Sequence, residues 1–159
     1  MTGWRLGWML APEFLRAPLQ RLSSNMTVCP PTVSQYAAIA AFSDESIAEL
    51  DTHVARYGVN RDLLLAELPQ LGFTDLAPAD GAFYIYADVS ALTDNSSAWC
   101  SEILHATGVA LAPGIDFDPV RGNHTVRLSF AGSTEDIAEA IERLRHYLLP
   151  LSTHNERQN

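Results

Sequence analysis

The opening segment of the chain, residues 3–10, constrains the fold most, because it is apolar throughout except for one cation, Arg5. This pattern predicts a single buried strand. A single strand cannot form a sheet alone, and no second strand-like run follows before about residue 70. We therefore expect that residue 1 is not the natural beginning of the protein and that Met1 is an internal methionine or a truncated start.

Helices are predicted to follow this segment. Leucines at helical spacing begin after Pro12, although Pro18 is expected to kink or shorten that helix. Residues 23–31 are predicted to form a loop. Residues 32–35, Thr-Val-Ser-Gln, match a capping box and predict the start of a second helix, made of small residues.

A third, long helix is predicted over residues 45–68, with an interruption near Gly58. From about residue 70 the pattern changes to short strands separated by helices, which predicts a compact α/β unit. The predicted strands are 82–89, 108–113 and 124–130, and the predicted helices are 96–106 and one that begins at Ser133 or Thr134 and buries Ile137, Ile141, Leu144 and Leu148. The chain is therefore predicted to divide into residues 1–43, a connecting helix 44–70, a small domain 71–150 and a polar tail 151–159.

The charge of the chain limits its partners. The formal net charge is -9, and all ten basic residues are arginines, with no lysine anywhere in the sequence. A nucleic-acid surface needs clustered basic residues, so this balance argues against nucleic-acid binding and against adhesion to an anionic membrane. The absence of lysine means that no side chain of this chain can form a Schiff base.

The cysteines and histidines match no metal or redox motif. Cys29 and Cys100 lie far apart, which is typical of a reducing compartment and suggests a cytoplasmic protein. The five histidines lack the spacing of metal ligands, so no metal site is predicted. No run of apolar residues approaches the length of a transmembrane helix.

Two arginines are candidates for binding an anion. Arg5, among tryptophan, leucine and glycine neighbours, fits either a solvent-facing position on an edge strand or a site for a phosphate or carboxylate. Arg127 lies in the strand 124–130, where Val126, Leu128 and Phe130 alternate towards a core and turn Arg127 the other way. The pattern alone leaves open whether Arg127 is an ordinary surface arginine or a carboxylate ligand.

The loop over residues 113–123 holds two prolines and two glycines. It fits either a plain connection or the mouth of a pocket. Asp116 and Asp118 in this loop could pair as acid and base, but two acids in a turn are more often solvated. The motifs of serine hydrolases, phosphate-binding loops and dinucleotide-binding folds are absent from the sequence.

Five segments in this order resemble the C-terminal part of the fold type I pyridoxal-phosphate-dependent aminotransferases, the class I and II, aspartate-aminotransferase-like family. The segments are "MTGWRLGW", "PPTVSQYAAIAAF", "DGAFYIYADVS", "GVALAPGIDFDP" and "HTVRLSFAGS". The resemblance extends over about residues 1–148. It implies an α/β fold in which residues 1–43 end the large cofactor-binding domain, 44–70 form the connecting helix and 71–150 form the small domain.

The resemblance also implies roles for both arginines. Arg5 corresponds to the residue that binds the phosphate of pyridoxal 5'-phosphate, and Arg127 to the residue that holds the substrate α-carboxylate. The family's Schiff-base lysine would fall upstream of Met1, so this chain carries no catalytic residue of its own. Dicarboxylate-specific members have an arginine where this chain has Ser23, Ser24 and Asn25, which argues against that specificity.

The predicted function is therefore that of a C-terminal aminotransferase fragment, inactive alone. Its parent would transfer an amino group from an amino acid to a 2-oxo acid and, as the family implies, would be a homodimer. Two alternatives remain at this point. The parent could be another fold type I enzyme, such as a lyase, or the chain could belong to a regulator with a non-catalytic aminotransferase-like domain that senses a ligand.

Overall fold

The structure, a computed structural model, describes residues 2–155, which form two compact units, Met1–Thr52 and His53–Asn159. The helices are α1 (Glu13–Met26), α2 (Thr32–Ala41), α3 (Asp44–Glu67), α4 (Ser96–Thr107) and α5 (Thr134–Asn155). The strands are β1 (Tyr84–Asp88), β2 (Ala112–Pro113) and β3 (Thr125–Ser129). The mixed helix and strand content confirms the predicted α/β class, while the predicted domain roles stay a prediction.

The opening segment does not form the predicted strand. Residues Thr2–Trp4 form a short 3-10 helix, and Arg5 adopts a left-handed backbone conformation with φ 50°. The backbone groups of a strand need a partner strand, and the described part of the first unit contains none. The prediction of a buried strand over residues 3–10 was therefore wrong.

Helix α1 is longer than predicted. It continues through Pro18 and extends into the predicted loop 23–31 as far as Met26. Side chains near its end bond back to carbonyls one turn earlier: the Asn25 amide donates to the Arg21 carbonyl at 2.6 Å, and the Thr27 hydroxyl donates to the Ser23 carbonyl at 3.1 Å. The predicted loop is therefore helical as far as Met26.

Helix α2 begins one residue earlier than a capping box requires. Thr32 is the first helical residue, Pro31 occupies the cap position, and no side chain caps the helix. The Ser34 hydroxyl instead donates to the Trp4 carbonyl at 2.7 Å, and the Gln35 amide donates to the Pro30 carbonyl at 3.0 Å. The predicted helix is confirmed, and the predicted capping box was wrong.

Helix α3 is continuous through Gly58, so the predicted interruption was wrong. A glycine costs a helix about 1 kcal/mol relative to alanine, a cost that tertiary packing can exceed. The later half of the helix supplies that packing through Asn60 and Leu64, which are both buried. The helix starts at Asp44, one residue before the predicted start, and the Ser43 hydroxyl accepts a hydrogen bond from the Ser46 backbone amide at 3.3 Å.

The sheet of the second unit has the order β1-β3-β2 with both pairs antiparallel. Strand β1 pairs with β3 along its whole length, from Tyr84 opposite Ser129 to Asp88 opposite Thr125. Strand β2 is much shorter than the predicted 108–113, because only Ala112 and Pro113 pair with β3. The strand that carries Arg127 is thus the central one.

The core of the second unit lies between one face of the sheet and helices α3, α4 and α5. The predicted inward positions Val126, Leu128 and Phe130 are buried, as the alternation indicated. Helix α5 is capped by the Ser133 hydroxyl, which accepts from the Asp136 amide at 3.0 Å. It continues to Asn155, into the predicted polar tail, whose residues 156–159 lie outside the described ones. The buried apolar residues are Leu64, Leu68, Leu71, Phe73, Ala79, Ile85, Ala87, Val89, Trp99, Cys100, Ile103, Val126, Leu128, Phe130, Ile141, Leu144 and Leu148.

The first unit exposes its large apolar side chains. Trp8 is 73% exposed and Leu10 is 91% exposed, and Ser34 is the one buried residue among those described in this unit. A surface of this kind is typical of an interface with another protein surface. No helix in the described part of the chain is long and apolar enough to span a bilayer.

Candidate functional site

The candidate site is built around Arg127 on the central strand. Arg127 lies opposite Tyr86 of β1 and opposite Ala112 of β2, so strands flank it on both sides. Its neighbours Val126 and Leu128 are buried in the core, which directs Arg127 to the other face of the sheet. There the arginine is half-buried.

Two aromatic rings contact the Arg127 guanidinium. Its central carbon, Cζ, lies 4.2 Å from the centroid of the Phe117 ring and 4.9 Å from the centroid of the Tyr84 ring. Cations within about 6 Å of a ring centroid are attracted to the electron-rich face of the ring, by about 0.5–2 kcal/mol depending on exposure. The guanidinium is therefore held by two ring contacts.

Among the residues that the structure describes, most other arginines of the second unit bind carboxylates, whereas Arg127 binds none. The paired residues are Arg61 with Asp62, Arg121 with Asp118, Arg143 with Glu139, and Arg145 with Glu67 and Glu142. Within residues 2–155, Arg127 has no carboxylate partner, and neither does Arg56, which contacts the Tyr57 ring. The N–H groups of Arg127 are thus available to a carboxylate from a ligand.

The loop that carries Phe117 packs tightly against β3. A Cβ atom placed on Gly114 would lie 2.0 Å from the Thr125 hydroxyl oxygen and 2.8 Å from the Tyr86 hydroxyl oxygen, so only glycine fits there. The hydroxyls of Tyr86 and Thr125 are themselves hydrogen-bonded at 2.6 Å. Thr125, which the alternation of the strand places on the same face as Arg127, is buried because this loop covers it. The loop predicted over residues 113–123 also contains two short 3-10 helices, Gly114–Asp116 and Gly122–His124.

Asp118 organises the same loop through hydrogen bonds to its backbone. Its carboxylate accepts hydrogen bonds from the backbone amides of Val120, at 2.9 Å, and Arg121, at 3.0 Å. Hydrogen bonds from the Arg121 and Val120 amides lower the pKa of Asp118 below its ordinary value. Asp118 therefore stays ionised near neutral pH and holds the turn, and Asp116 is exposed.

Arg5 lies in the other unit, directly after the short 3-10 helix Thr2–Trp4. It is exposed, and within the described residues no side chain pairs with its guanidinium. The carbonyl of the preceding residue, Trp4, is bound by the buried Ser34 hydroxyl, which ties this part of the backbone to α2. The expectation of a cation buried in a strand was wrong, because the strand is absent. The role of Arg5 as a phosphate ligand stays a prediction.

Tyr84 and Phe117 were not singled out from the sequence. The alternation of β1 carries a usable signal for Tyr84. Ile85, Ala87 and Val89 alternate into the core, so Tyr84 shares with Tyr86 the opposite face, the one that carries Arg127. Phe117 gives no such signal, since it lies in an irregular loop. Only the folding of that loop over β3 brings its ring to the arginine.

Comparisons with known proteins agree on one family. The family model for aminotransferase class I and II matches residues 1–144. A valine--pyruvate aminotransferase of Mycobacterium tuberculosis is 55% identical over 148 residues, and a (5-formylfuran-3-yl)methyl phosphate transaminase of Methanocaldococcus jannaschii is 31% identical over 148 residues. These matches cover 93% of this chain but 38% and 39% of the two relatives.

Solved structures give the same result. An aminotransferase from Mycobacterium tuberculosis superposes with a TM-score of 0.85 at 55% identity, covering 93% of this chain and 38% of that one. A putative aminotransferase from Silicibacter pomeroyi superposes with a TM-score of 0.85 at 51% identity, covering 93% and 40%. The chain thus spans well under half the length of the relatives it matches. It belongs to the aminotransferase class I and II family, whose members depend on pyridoxal phosphate.

Proposed function

We propose that this chain is part of a pyridoxal-phosphate-dependent aminotransferase that moves an amino group from an amino acid to a 2-oxo acid, and that Arg127 binds the substrate α-carboxylate. The observation that carries this proposal is a half-buried guanidinium that contacts two aromatic rings and has no carboxylate partner within residues 2–155. A planar guanidinium binds a carboxylate through two parallel hydrogen bonds. Contact with the rings lowers the exposure of the ion pair to water, which strengthens it.

The residues of this chain fit one part of the cofactor, its phosphate. Arg5 offers an exposed guanidinium without a partner in the described residues, in a backbone conformation that is uncommon for a residue with a side chain. When bound, pyridoxal phosphate supplies the electron sink for proton removal at the substrate Cα and carries the amino group. The chain has no lysine to hold the cofactor, so we propose that it is inactive alone.

In this scheme Arg127 orients the substrate and does not move a proton. Fixing the carboxylate at one end of an amino acid limits the positions that Cα and the amino group can occupy. A residue that binds in this way contributes to recognition of every α-amino acid and 2-oxo acid, whatever their side chains. The side-chain specificity of the enzyme must therefore depend on other groups.

The experiment is Arg127→Lys in an enzyme that joins this chain to the N-terminal portion of its Mycobacterium tuberculosis relative. Removing one partner of a desolvated ion pair costs about 2–5 kcal/mol, which corresponds to roughly a 30- to 5,000-fold effect. We expect kcat/KM for amino acids to fall by about 100-fold or more, while amines without an α-carboxylate are much less affected. Pyridoxal phosphate binding, followed by its absorbance, should barely change.

Arg56→Lys is the matched control, because Arg56 also contacts a ring and lacks a carboxylate partner in the described residues. It should leave both substrate classes unchanged. If Arg127→Lys reduces activity equally for an amino acid and its decarboxylated amine, or reduces neither, then Arg127 is not the carboxylate ligand.

We further infer that the complete enzyme is a cytoplasmic homodimer. The exposed apolar residues of the first unit, such as Trp8 and Leu10, support an extensive interface with other protein surface. Light scattering of the joined enzyme should give the mass of two subunits. A stable monomer with full activity would contradict the dimer.

A further inference from the structure

We propose that Tyr84 and Phe117, here called the aromatic pair, are positioning residues that hold the Arg127 guanidinium ready for a carboxylate. This inference rests on the proposed function of Arg127. It adds two residues that do not themselves bind the carboxylate. They act through the arginine, by fixing where its N–H groups lie.

The first argument is the exposure of the aromatic pair. Phe117 is 51% exposed and Tyr84 is 37% exposed, so neither ring is a core residue. Both rings nevertheless lie within 5 Å of the Arg127 Cζ atom. The two rings therefore bury little area in the core. Their main contact is with the half-buried guanidinium, whose position they fix.

The second argument is the chemistry of the contact. A carboxylate partner would occupy the N–H groups of Arg127, as Glu67 does for Arg145. An aromatic ring attracts the cation through its face and contains no acceptor oxygen within the ring, so it leaves the N–H groups free. A long arginine side chain loses much conformational freedom when it is ordered. Ordering by the rings before the ligand arrives removes that loss from the binding step.

The third argument is that both rings are held by rigid parts of the fold. Tyr84 belongs to the β1 ladder, opposite Ser129, and its ring packs edge-on against Phe83 with 5.7 Å between centroids. Phe117 follows the tight approach of Gly114 to Thr125, and its backbone amide donates to the Gly114 carbonyl at 2.8 Å. The aromatic pair is thus attached to two different elements that both contact β3.

The direct test is the NMR signal of the Arg127 Nε–H group in the 159-residue chain, identified by its loss in Arg127→Lys. Ring currents should shift this signal from the position of a free arginine. Phe117→Leu and Tyr84→Leu should each move it towards the free position, whereas Phe117→Tyr and Tyr84→Phe keep a ring and should preserve the shift. If the leucine variants leave the signal unchanged, the rings do not hold the guanidinium.

The functional test uses the joined enzyme. Phe117→Leu should raise KM for amino acids about 2- to 30-fold, the range expected for loss of a cation–π contact, with kcat within about twofold. Phe117→Tyr should restore the KM, and the decarboxylated amine should be unaffected. In an Arg127→Lys background, Phe117→Leu should have no further effect, because the two residues act as one unit.

The outcomes separate this inference from the function on which it rests. If Arg127→Lys fails to discriminate between acid and amine, the proposed function is wrong, whatever the leucine variants do. If Arg127→Lys discriminates but Phe117→Leu and Tyr84→Leu change neither KM nor the Nε–H signal, only the positioning role is wrong. Equal loss of activity towards acid and amine in the leucine variants would also refute the positioning role.

Discussion

Replacing Asn60 should destabilise the second unit more than any surface substitution, because this buried side chain joins α3 to the end of β3. Asn60 is fully buried, and its amide donates hydrogen bonds to the carbonyls of Phe130, at 3.0 Å, and Gly132, at 3.1 Å. Its own carbonyl oxygen accepts from the Thr134 hydroxyl at 2.7 Å. One side chain thus binds three groups in the segment that leads from the Arg127 strand into α5.

The magnitude follows from these three hydrogen bonds. Each contributes about 1 kcal/mol net, and a buried partner left without a bond adds about 1–3 kcal/mol. Asn60→Ala should therefore lower the free energy of unfolding by about 3–5 kcal/mol. Thr134→Val removes one of the three bonds and should cost about 1 kcal/mol. The double variant should be less destabilised than the sum, because both changes remove the same bond.

The assay is urea unfolding of the whole 159-residue chain, followed by near-UV circular dichroism and tryptophan emission. Trp99 is buried in the second unit, whereas Trp4 and Trp8 are exposed, so the blue-shifted emission reports on the second unit. Asn123→Ala is the matched control, since Asn123 is exposed, and should change stability by less than about 0.5 kcal/mol. A cost below about 1 kcal/mol for Asn60→Ala would refute the reasoning.

Asn60→Asp sharpens the test. The substitution places a carboxylate against the Phe130 and Gly132 carbonyl oxygens. Burial disfavours the charged form, so the pKa of the new acid should be raised in the folded state. The loss of unfolding free energy caused by Asn60→Asp should be smallest below about pH 4, where the acid is protonated in the unfolded state as well. It should grow as the pH rises, because the folded state then holds a proton that the unfolded state releases. A penalty independent of pH would contradict it.

Three further changes test the loop and the thiols. Gly114→Ala should cost about 1–3 kcal/mol in urea unfolding, because its Cβ would lie 2.5 Å from the Thr125 carbonyl oxygen, whereas Gly81→Ala, with open space around it, should cost almost nothing. The lowered pKa of Asp118 means that its stabilising effect is present above its ordinary value of 3.8 and is lost as pH falls through the folded value; an NMR titration of the Val120 amide should give a midpoint below 3.8. Burial raises the pKa of Cys100 to about 11, so a thiol reagent at pH 8 should modify the exposed Cys29 quickly and Cys100 only after unfolding.

The spacing of apolar residues predicted much of the secondary structure and core of the second unit. The alternation in residues 124–130 predicted the core positions Val126, Leu128 and Phe130. The helical spacing predicted three buried residues of α5, Ile141, Leu144 and Leu148, whereas Ile137 is only partly buried. Both patterns are local and are read directly from the sequence. The family resemblance was needed to select Arg127, since an arginine on the outer face of a strand is usually an ordinary surface residue.

The failures come from contacts that sequence spacing does not encode. The opening segment has the composition of a strand, but a strand forms only with a partner. Phe117 meets Arg127 because the loop between them folds back onto β3, an approach that depends on Gly114 and Thr125. The capping box failed because Thr32 is already helical and Pro31 takes the cap position, so the Gln35 backbone amide donates to the Pro31 carbonyl at 3.2 Å. The missing strand and the Phe117 contact, by comparison, depend on tertiary contacts.

The strand order has a consequence for synthesis of the protein on the ribosome. Strands β1 and β2 pair with β3 and not with each other, yet β3 is made last. At about 5–20 residues per second, the 36 residues between Asp88 and Thr125 take roughly 2–7 s to translate. During that interval β1 lacks its ladder partner, and its apolar residues Ile85 and Ala87 lack the finished sheet that buries them. A nascent chain stalled before Thr125 should therefore be a substrate for chaperones, and one released after Ser129 should not.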